Sequence, residues 1–407
     1  MKKIAVIGAG GKITTATMAE FLHREKVFPC RFSLFGHNPE KLAGAQGLLA
    51  RFNGGNAVVE VAKTLDESLE GADAIMYCAS YGLAPYEGYK AFGVQHGAFL
   101  MGIGEKMKSL CPQAWLLVVT NPPDIPLTAV SLRFGLKNVI GLCNASTFTR
   151  KVLAAYLDED EADVLPLDIG VNHELWYYDV QLRGVSIYEQ LKKMLASGYE
   201  PETLVDDFHT QFPEWREGFR NSVEIMKATG YLPGPVGGCH RFRDLPETRM
   251  SKLMKRPTNE DFAALYRDAP GLPLERILSA TRRCAAEFPI YIADILHGVL
   301  TENPACQSAL VLNDGAVPSF PSEAMVQLTC RFTENGIEKP CPQVPEFVEA
   351  TLSSRVRQNL LLAKALAYQD EQYLRQAALV YPERVDFGEV TAEIADDFNA
   401  EPWMSLN

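Results

Sequence analysis

Short apolar runs alternate with longer mixed stretches over the first 150 or so residues of the chain. Residues 3–8 read as a buried strand, the glycines at 8, 10 and 11 as a turn, and Thr14 to about Arg24 as a helix. Strands follow near 31–35, at 57–61 and at 72–79, with a helical stretch from Pro39 to Phe52 between the first two. Leu116 to Thr120 is a further apolar strand that stops at Asn121-Pro122-Pro123, and Asn138 to Leu142 is another, ending at Cys143-Asn144. A repeated strand-helix-strand order of this kind predicts an α/β fold with a doubly wound, Rossmann-type parallel sheet.

Beyond that point the texture changes. Helical segments are expected at about 186–198, 201–228, 258–269, 275–301, 346–367 and 370–380, around strands at 164–171, 177–183, 309–312 and 324–331. There is no internal repeat and no low-complexity segment. The expected division is a dinucleotide-binding Rossmann domain at 1–165 and an α+β substrate-binding domain at 166–407, with no Pro/Gly/Ser linker between them.

With 407 residues, 47% of them hydrophobic and 22% charged, the chain is long enough for two or three domains and ordinary for a folded protein. Its 39 Lys+Arg against 51 Asp+Glu leave a net charge of −12, which argues against nucleic acid and anionic membranes as partners. An anionic small molecule would need local basic residues. Nine cysteines, odd in number and without tight spacing, do not form a disulfide framework, so a cytoplasmic setting is expected. The opening Met-Lys-Lys-Ile-Ala-Val-Ile-Gly reads as the first strand rather than a signal peptide, and no run of 18 apolar residues offers a membrane span.

The candidate cofactor turn is Gly8-Ala9-Gly10-Gly11 with Lys12 and Ile13, placed directly after the first strand and before a helix whose N-terminal N–H groups can hold a pyrophosphate. A bulky side chain at Gly10 is expected to block the cofactor and leave the fold intact. Ile13 stands where the fingerprint has its third glycine, and the second strand ends in Phe35-Gly36-His37-Asn38, without the acidic residue that bonds an adenosine ribose. Asn38 could bond that ribose, and His37 with Lys41 could accept a 2′-phosphate, which keeps NADP open beside NAD. At the carboxyl edge of the sheet, Thr120, Asn121 and Pro122 are candidate cofactor contacts, and Asn121, Asn144 and Asn172 candidate substrate contacts. Cys143 is either a buried apolar thiol or a ligand, and His173 either a satisfied structural histidine or a ligand.

These stretches resemble glycoside hydrolase family 4, the NAD-dependent glycosidases related in fold to lactate and malate dehydrogenases. The resemblance is carried by Lys3–Gly11, by Cys111-Pro112-Gln113-Ala114-Trp115 leading into Thr120-Asn121-Pro122, by Gly141–Asn144, by Val171-Asn172-His173 and by Leu312-Asn313-Asp314-Gly315-Ala316-Val317-Pro318. It implies that Cys143 and His173 ligate Mn²⁺ in a metal-dependent enzyme, beside the catalytic Asn144. It also implies an unusual route: NAD⁺ takes a hydride from sugar carbon 3, a base removes the acidified proton on carbon 2, the aglycone is eliminated, water adds and the hydride returns. The carboxylate pair of other glycosidases is then unnecessary.

The chain departs from the family at several points. Gly36 stands where an Asp is frequent, and Ser80-Tyr81-Gly82 through Pro85-Tyr86-Glu87 replaces an Arg-x-x-Asp-Glu pattern of phosphoglycoside enzymes. The segment after Gly230-Tyr231-Leu232-Pro233 continues as Gly237-Gly238-Cys239-His240-Arg241-Phe242-Arg243, leaving His240 or Tyr231 to serve as base. Such departures resemble the NAD-dependent sulfoquinovosidases, for which Arg241 and Arg243 could bind a 6-sulfonate. The expected substrate is an anionic hexoside, a sulfoquinovoside ahead of a 6-phosphoglucoside, handled by a homo-oligomer. An NAD(P)-dependent sugar or hydroxy-acid dehydrogenase is the alternative, and a cofactor-sensing protein without turnover is a third reading.

Overall fold

The computed structural model describes residues 1–24, 29–52, 55, 57–79, 89–201, 213–234, 265–268, 271–284 and 288–380. The first half alternates β1 (Lys2–Ile7), α1 (Lys12–His23), β2 (Cys30–Phe35), α2 (Pro39–Ala50), β3 (Ala57–Val61), α3 (Leu65–Leu69), β4 (Ala74–Tyr77), α4 (Tyr89–Leu110), β5 (Trp115–Val118), α5 (Asp124–Phe134), β6 (Val139–Gly141) and α6 (Ala145–Leu157). The six strands are parallel in the order β3-β2-β1-β4-β5-β6, the expected doubly wound arrangement. Strands β4 to β6 are buried along their whole length, as parallel strands covered by helices on both faces must be. Alternation along β1 sends Ile4 and Val6 to one face, with Phe21 and Leu48, and Ala5 and Ile7 to the other, with Leu100 and Val130.

The second half supplies β7 (Val164–Val171), β8 (Glu174–Leu182), β9 (Val185–Ser186), α7 (Tyr188–Ala196), β10 (Leu232–Pro233), β11 (Ala305–Leu312), β12 (Met325–Thr333) and β13 (Gly336–Glu338). These strands continue the same sheet. β11 pairs antiparallel with β6 through Leu310 and Gly141, and β12, β7, β8 and β10 follow outward. The boundary expected at 165/166 thus falls inside β7. The loop between β11 and β12 is built on the buried Asn313, whose amide donates to the carbonyls of Val317, Phe320 and Pro321 while its oxygen accepts from Val317 N–H.

Two helices of the second half position the site. Phe288–Leu300 lies against α1, with the His297 and Phe21 rings stacked 4.4 Å apart. Glu346–Tyr368 runs along α5 and β7, its apolar stripe (Val348, Leu352, Val356) in the main core. Where one helix was expected over 275–301, the structure describes Leu274–Cys284 and Phe288–Leu300, and residues 285–287 lie outside the described ones. No helix among the described residues is long and apolar enough to cross a membrane.

Candidate active site

The turn after β1 is shaped for an anion. Gly8 and Gly10 take φ of +81° and +85°, and a Cβ on Gly8 would collide with the Cys78 carbonyl. Gly11 caps α1 without a side-chain hydrogen bond, and the helix has no acidic residue in its first turn, which leaves its N-terminal N–H groups for a ligand. Thr14 ties the turn from within, its hydroxyl donating to the Gly11 carbonyl at 2.9 Å with the Gly8 carbonyl 3.3 Å away. Lys12 follows the turn and lies close enough to the Cys78 thiol to act on it electrostatically, while Ile13 packs against the core.

At the end of β2 the structure explains the missing acid. A Cβ on Gly36 would press on the Ala9 carbonyl at 3.0 Å. Asn38 is the N-cap of α2: its side-chain oxygen accepts the Lys41 N–H at 3.0 Å, ahead of Pro39. His37 is exposed, with its ring edge-on to Phe35.

The opposite wall comes from the ends of β5 and β6. Thr120 is buried and donates to the Ala79 carbonyl at 2.8 Å, next to the cis Asn121–Pro122 bond. His96, on α4, donates from Nε2 to the Pro122 carbonyl at 3.1 Å, which fixes its tautomer. The Asn121 side-chain oxygen and the Ser146 hydroxyl are buried there without a hydrogen-bond partner among the described residues. Cys143 is 2% exposed, and burial pushes its thiol up to about 12, with the nearby Asp124 charge acting in the same direction. Asn144 begins α6, and its carbonyl accepts the Thr147 hydroxyl at 2.8 Å.

The β7–β8 hairpin closes in two residues, Asn172 and His173, with Val171 paired to Glu174. His173 is 9% exposed at φ +64°, an uncommon value for a residue with a Cβ, held by the strands on either side. Leu175, two residues on, packs against Cys143. Asp124 links this hairpin to the β5 loop. Its carboxylate accepts the Asn172 N–H as well as the Ile125 N–H at 3.0 Å and the Asn359 amide at 2.7 Å. Burial pushes Asp124 up to about 6, against the pull of these donors and of Arg355. Arg355 in turn pairs with Glu174 at 3.2 Å, both side chains almost buried.

The structure therefore gathers Thr120, Asn121, Pro122, Cys143, Asn144, Asn172 and His173 around Asp124, and places Gly8, Gly10 and Gly11 at the neighbouring strand end. It does not bring Tyr231 to this group. That ring stacks on Phe347 at 6.3 Å and packs against the main core, and the Tyr231 N–H donates to the Thr229 hydroxyl at 3.3 Å. His240, Arg241 and Arg243 lie outside the described residues. Sequence reasoning missed Asp124, Glu174, Arg355 and Asn359. Only Asp124 carried a signal, as an acid directly after Asn121-Pro122-Pro123.

Comparison with known proteins agrees with this fold. Residues 86–159 match the model of family 4 glycosyl hydrolases and residues 169–383 that of the family 4 glycosyl hydrolase C-terminal domain. A probable 6-phospho-beta-glucosidase of Bacillus subtilis is 24% identical over 372 residues, 82% of this chain and 81% of the relative. A 6-phospho-alpha-glucosidase from gut microorganisms, solved with NAD and glucose-6-phosphate, superposes with a TM-score of 0.77 at 17% identity, over 98% of each chain. Another crystal of a protein of that name holds NAD and Mn²⁺. Malate dehydrogenase of Plasmodium falciparum shares the fold at a TM-score of 0.57 and 17% identity, over 90% of this chain and all of that one. With its C-terminal model spanning more than half of the chain, this protein belongs to the family 4 glycosyl hydrolases, as the five sequence motifs implied.

Proposed function

We propose that the chain is an NAD⁺-dependent glycosidase that opens the glycosidic bond of an anionic hexoside by oxidation and elimination. The observation that carries this reading is the Asp124 junction, which sets the Asn121–Pro122 loop at the cofactor edge against the Asn172–His173 hairpin. A direct displacement would call instead for two carboxyls facing one another across the bond. Relatives named for 6-phosphoglucosides favour a 6-phosphate over the 6-sulfonate expected from sequence, a preference that finds no support among them.

The chain's own residues divide the work. Gly10, Gly11 and the N-terminus of α1 would hold a pyrophosphate by backbone N–H groups, those of Gly8 and Ala9 being taken by the Phe35 carbonyl. Bound NAD⁺ would take the hydride from carbon 3 and return it after elimination. Asn121 and Ser146 present buried oxygens that sugar hydroxyls can satisfy. Cys143 and His173 would hold the cation that the family resemblance assigns to them: the buried thiol gives up its proton only against positive charge, and among the described residues no group of three acidic, histidine or cysteine side chains offers a fuller metal site. There Mn²⁺ would supply charge to steady an enolate oxygen. The base at carbon 2 then falls to His240 of the segment that follows, since Tyr231 stacks on Phe347 apart from this group.

The test is turnover in D₂O with catalytic NAD⁺ and aryl hexosides bearing 6-phosphate, 6-sulfonate, uronate or no charge. Deuterium at carbon 2 of the released sugar, with no net NADH, is expected. Unlabelled sugar from cofactor-free enzyme would overturn the mechanism. NADH accumulating one for one with an oxidised sugar would make the protein a dehydrogenase.

A further inference from the structure

Tyr266 comes from the second half of the chain, some 250 residues after the glycine turn, yet it is seated against that turn by three separate elements. Its hydroxyl donates to the Gly10 carbonyl at 3.0 Å. The same oxygen lies 2.8 Å from the Thr15 hydroxyl on α1. A phenol has one proton, already directed at Gly10, so Thr15 is the donor in that second bond. The ring rests on α2 at Gly44, where a Cβ would stand only 3.0 to 3.3 Å from two ring carbons and the Cβ of Tyr266. Glycine inside a helix is a poor helix former, and here its bare Cα is what admits the ring. Burial pushes the phenol up to about 12, so it remains a donor at any working pH.

The consequence lies on the other side of one peptide plane. In a trans peptide the C=O and N–H point in opposite directions. The Gly10 carbonyl shares its plane with the Gly11 N–H, the first amide at the mouth of α1. Anchoring the carbonyl to Tyr266 turns that N–H away from Tyr266. We infer that Tyr266 is a positioning residue of the dinucleotide turn, aiming the Gly11 N–H at the cofactor pyrophosphate through its bond to the Gly10 carbonyl. Its substrate-side location in sequence then makes cofactor affinity depend on the second half of the chain. This inference depends on the reading of the turn as an NAD⁺ site.

Calorimetric titration of the full-length protein with NAD⁺ tests both. Tyr266→Phe, which keeps the ring on Gly44 and removes only the hydroxyl, should weaken NAD⁺ about tenfold, in line with the loss of one directed hydrogen bond. Thr15→Val should give a smaller loss through the same oxygen, and Gly44→Ala a loss by displacing the ring. Because all three act through one contact, Tyr266→Phe combined with Gly44→Ala should bind no worse than the weaker of the two single variants. In turnover the penalty should fall on KM for NAD⁺ rather than on kcat or on KM for the sugar. Wild-type protein that binds NAD⁺, with Tyr266→Phe and Gly44→Ala binding equally well, overturns the role of Tyr266 and leaves the cofactor site standing. Wild-type protein that binds no NAD⁺ overturns both.

Discussion

Asn359 donates its side-chain amide to Asp124 Oδ2 at 2.7 Å, across 235 residues of sequence. The bond joins the long helix Glu346–Tyr368 to the first turn of α5, and through the second role of Asp124, as acceptor of the Asn172 N–H, to the hairpin that carries His173. Asn359→Leu removes the side-chain donor and leaves a buried carboxylate with backbone partners. A loss of about 1–3 kcal/mol in urea denaturation is expected, with kcat reduced more than affinity for NAD⁺. A variant as stable and as active as wild type would remove Asp124 as the link between the two walls.

The glycine turn separates residues needed by the chain from those needed by the ligand. Gly10→Val, expected from sequence to spare the fold, should instead strain it: Gly10 has a φ of +85° and a Cβ there would lie 2.8 Å from the Lys41 Cβ. Gly11 is the cleaner probe. It has an extended φ of −75°, and its added Cβ would meet the Gly8 carbonyl only at 3.4 Å. Gly11→Ala should therefore melt like wild type and bind NAD⁺ at least tenfold more weakly, because a methyl group then stands between the helix N-terminus and the pyrophosphate. Undiminished affinity in calorimetry would mean that the phosphates lie elsewhere.

Much of the frame is legible in the sequence because one physical rule fixes it locally. The apolar runs at β1 and β4 to β6, and the span 164–171 of β7, announce themselves by composition and by the turn residues that end them. β8 is harder: it begins at Glu174, three residues before its expected start, because the hairpin turns on His173 in the left-handed region and no glycine marks it. Asn38 is a case of two readings of one residue. Asn before Pro-Glu at a helix start is a cap, and the cap takes its side-chain oxygen, which leaves the amide N–H groups for a ribose. Arg355 and Asn359 were illegible, since polar residues four apart on a long helix look like a solvated face until the fold brings Glu174 and Asp124 to them.

Acid should destabilise the protein in a window set by its buried histidines. Burial lowers His96 and His297 to about 4, from an ordinary value of 6.5. Between these values the unfolded chain binds the protons, so stability is full above pH 6.5 and falls as the pH drops toward 4, by on the order of 3 kcal/mol per fully buried histidine. Asp168 works the other way. It is buried among the Ser308 and Thr329 hydroxyls with its carboxyl pushed up to about 6 by desolvation, so the folded state holds its proton between pH 4 and 6 and loses stability as the pH rises through that range. Thermal melts from pH 7 to 4.5 should thus fall less steeply for His96→Gln than for wild type, and more steeply for Asp168→Asn. Parallel curves for all three would show that neither group is buried in the state inferred.

The Arg355–Glu174 pair separates stability from function. Both side chains are nearly buried, 12% and 10% exposed, at a distance of 3.2 Å. Arg355→Met leaves the Glu174 carboxylate, one residue from His173, without its cation, and should cost about 3–5 kcal/mol in chemical denaturation. Adding Glu174→Leu removes the stranded charge, and the double variant should recover most of that loss, since a buried ion pair replaced by apolar groups of similar volume is close to neutral. Activity should not recover with it. Arg355 is also among the charges that act on Asp124, and the pair holds the base of the His173 hairpin, so the double variant is expected to be stable but at least a hundredfold slower at saturating NAD⁺ and sugar. If activity returns together with stability, the pair serves only the fold; if neither returns, packing around the helix rather than charge explains the single variant.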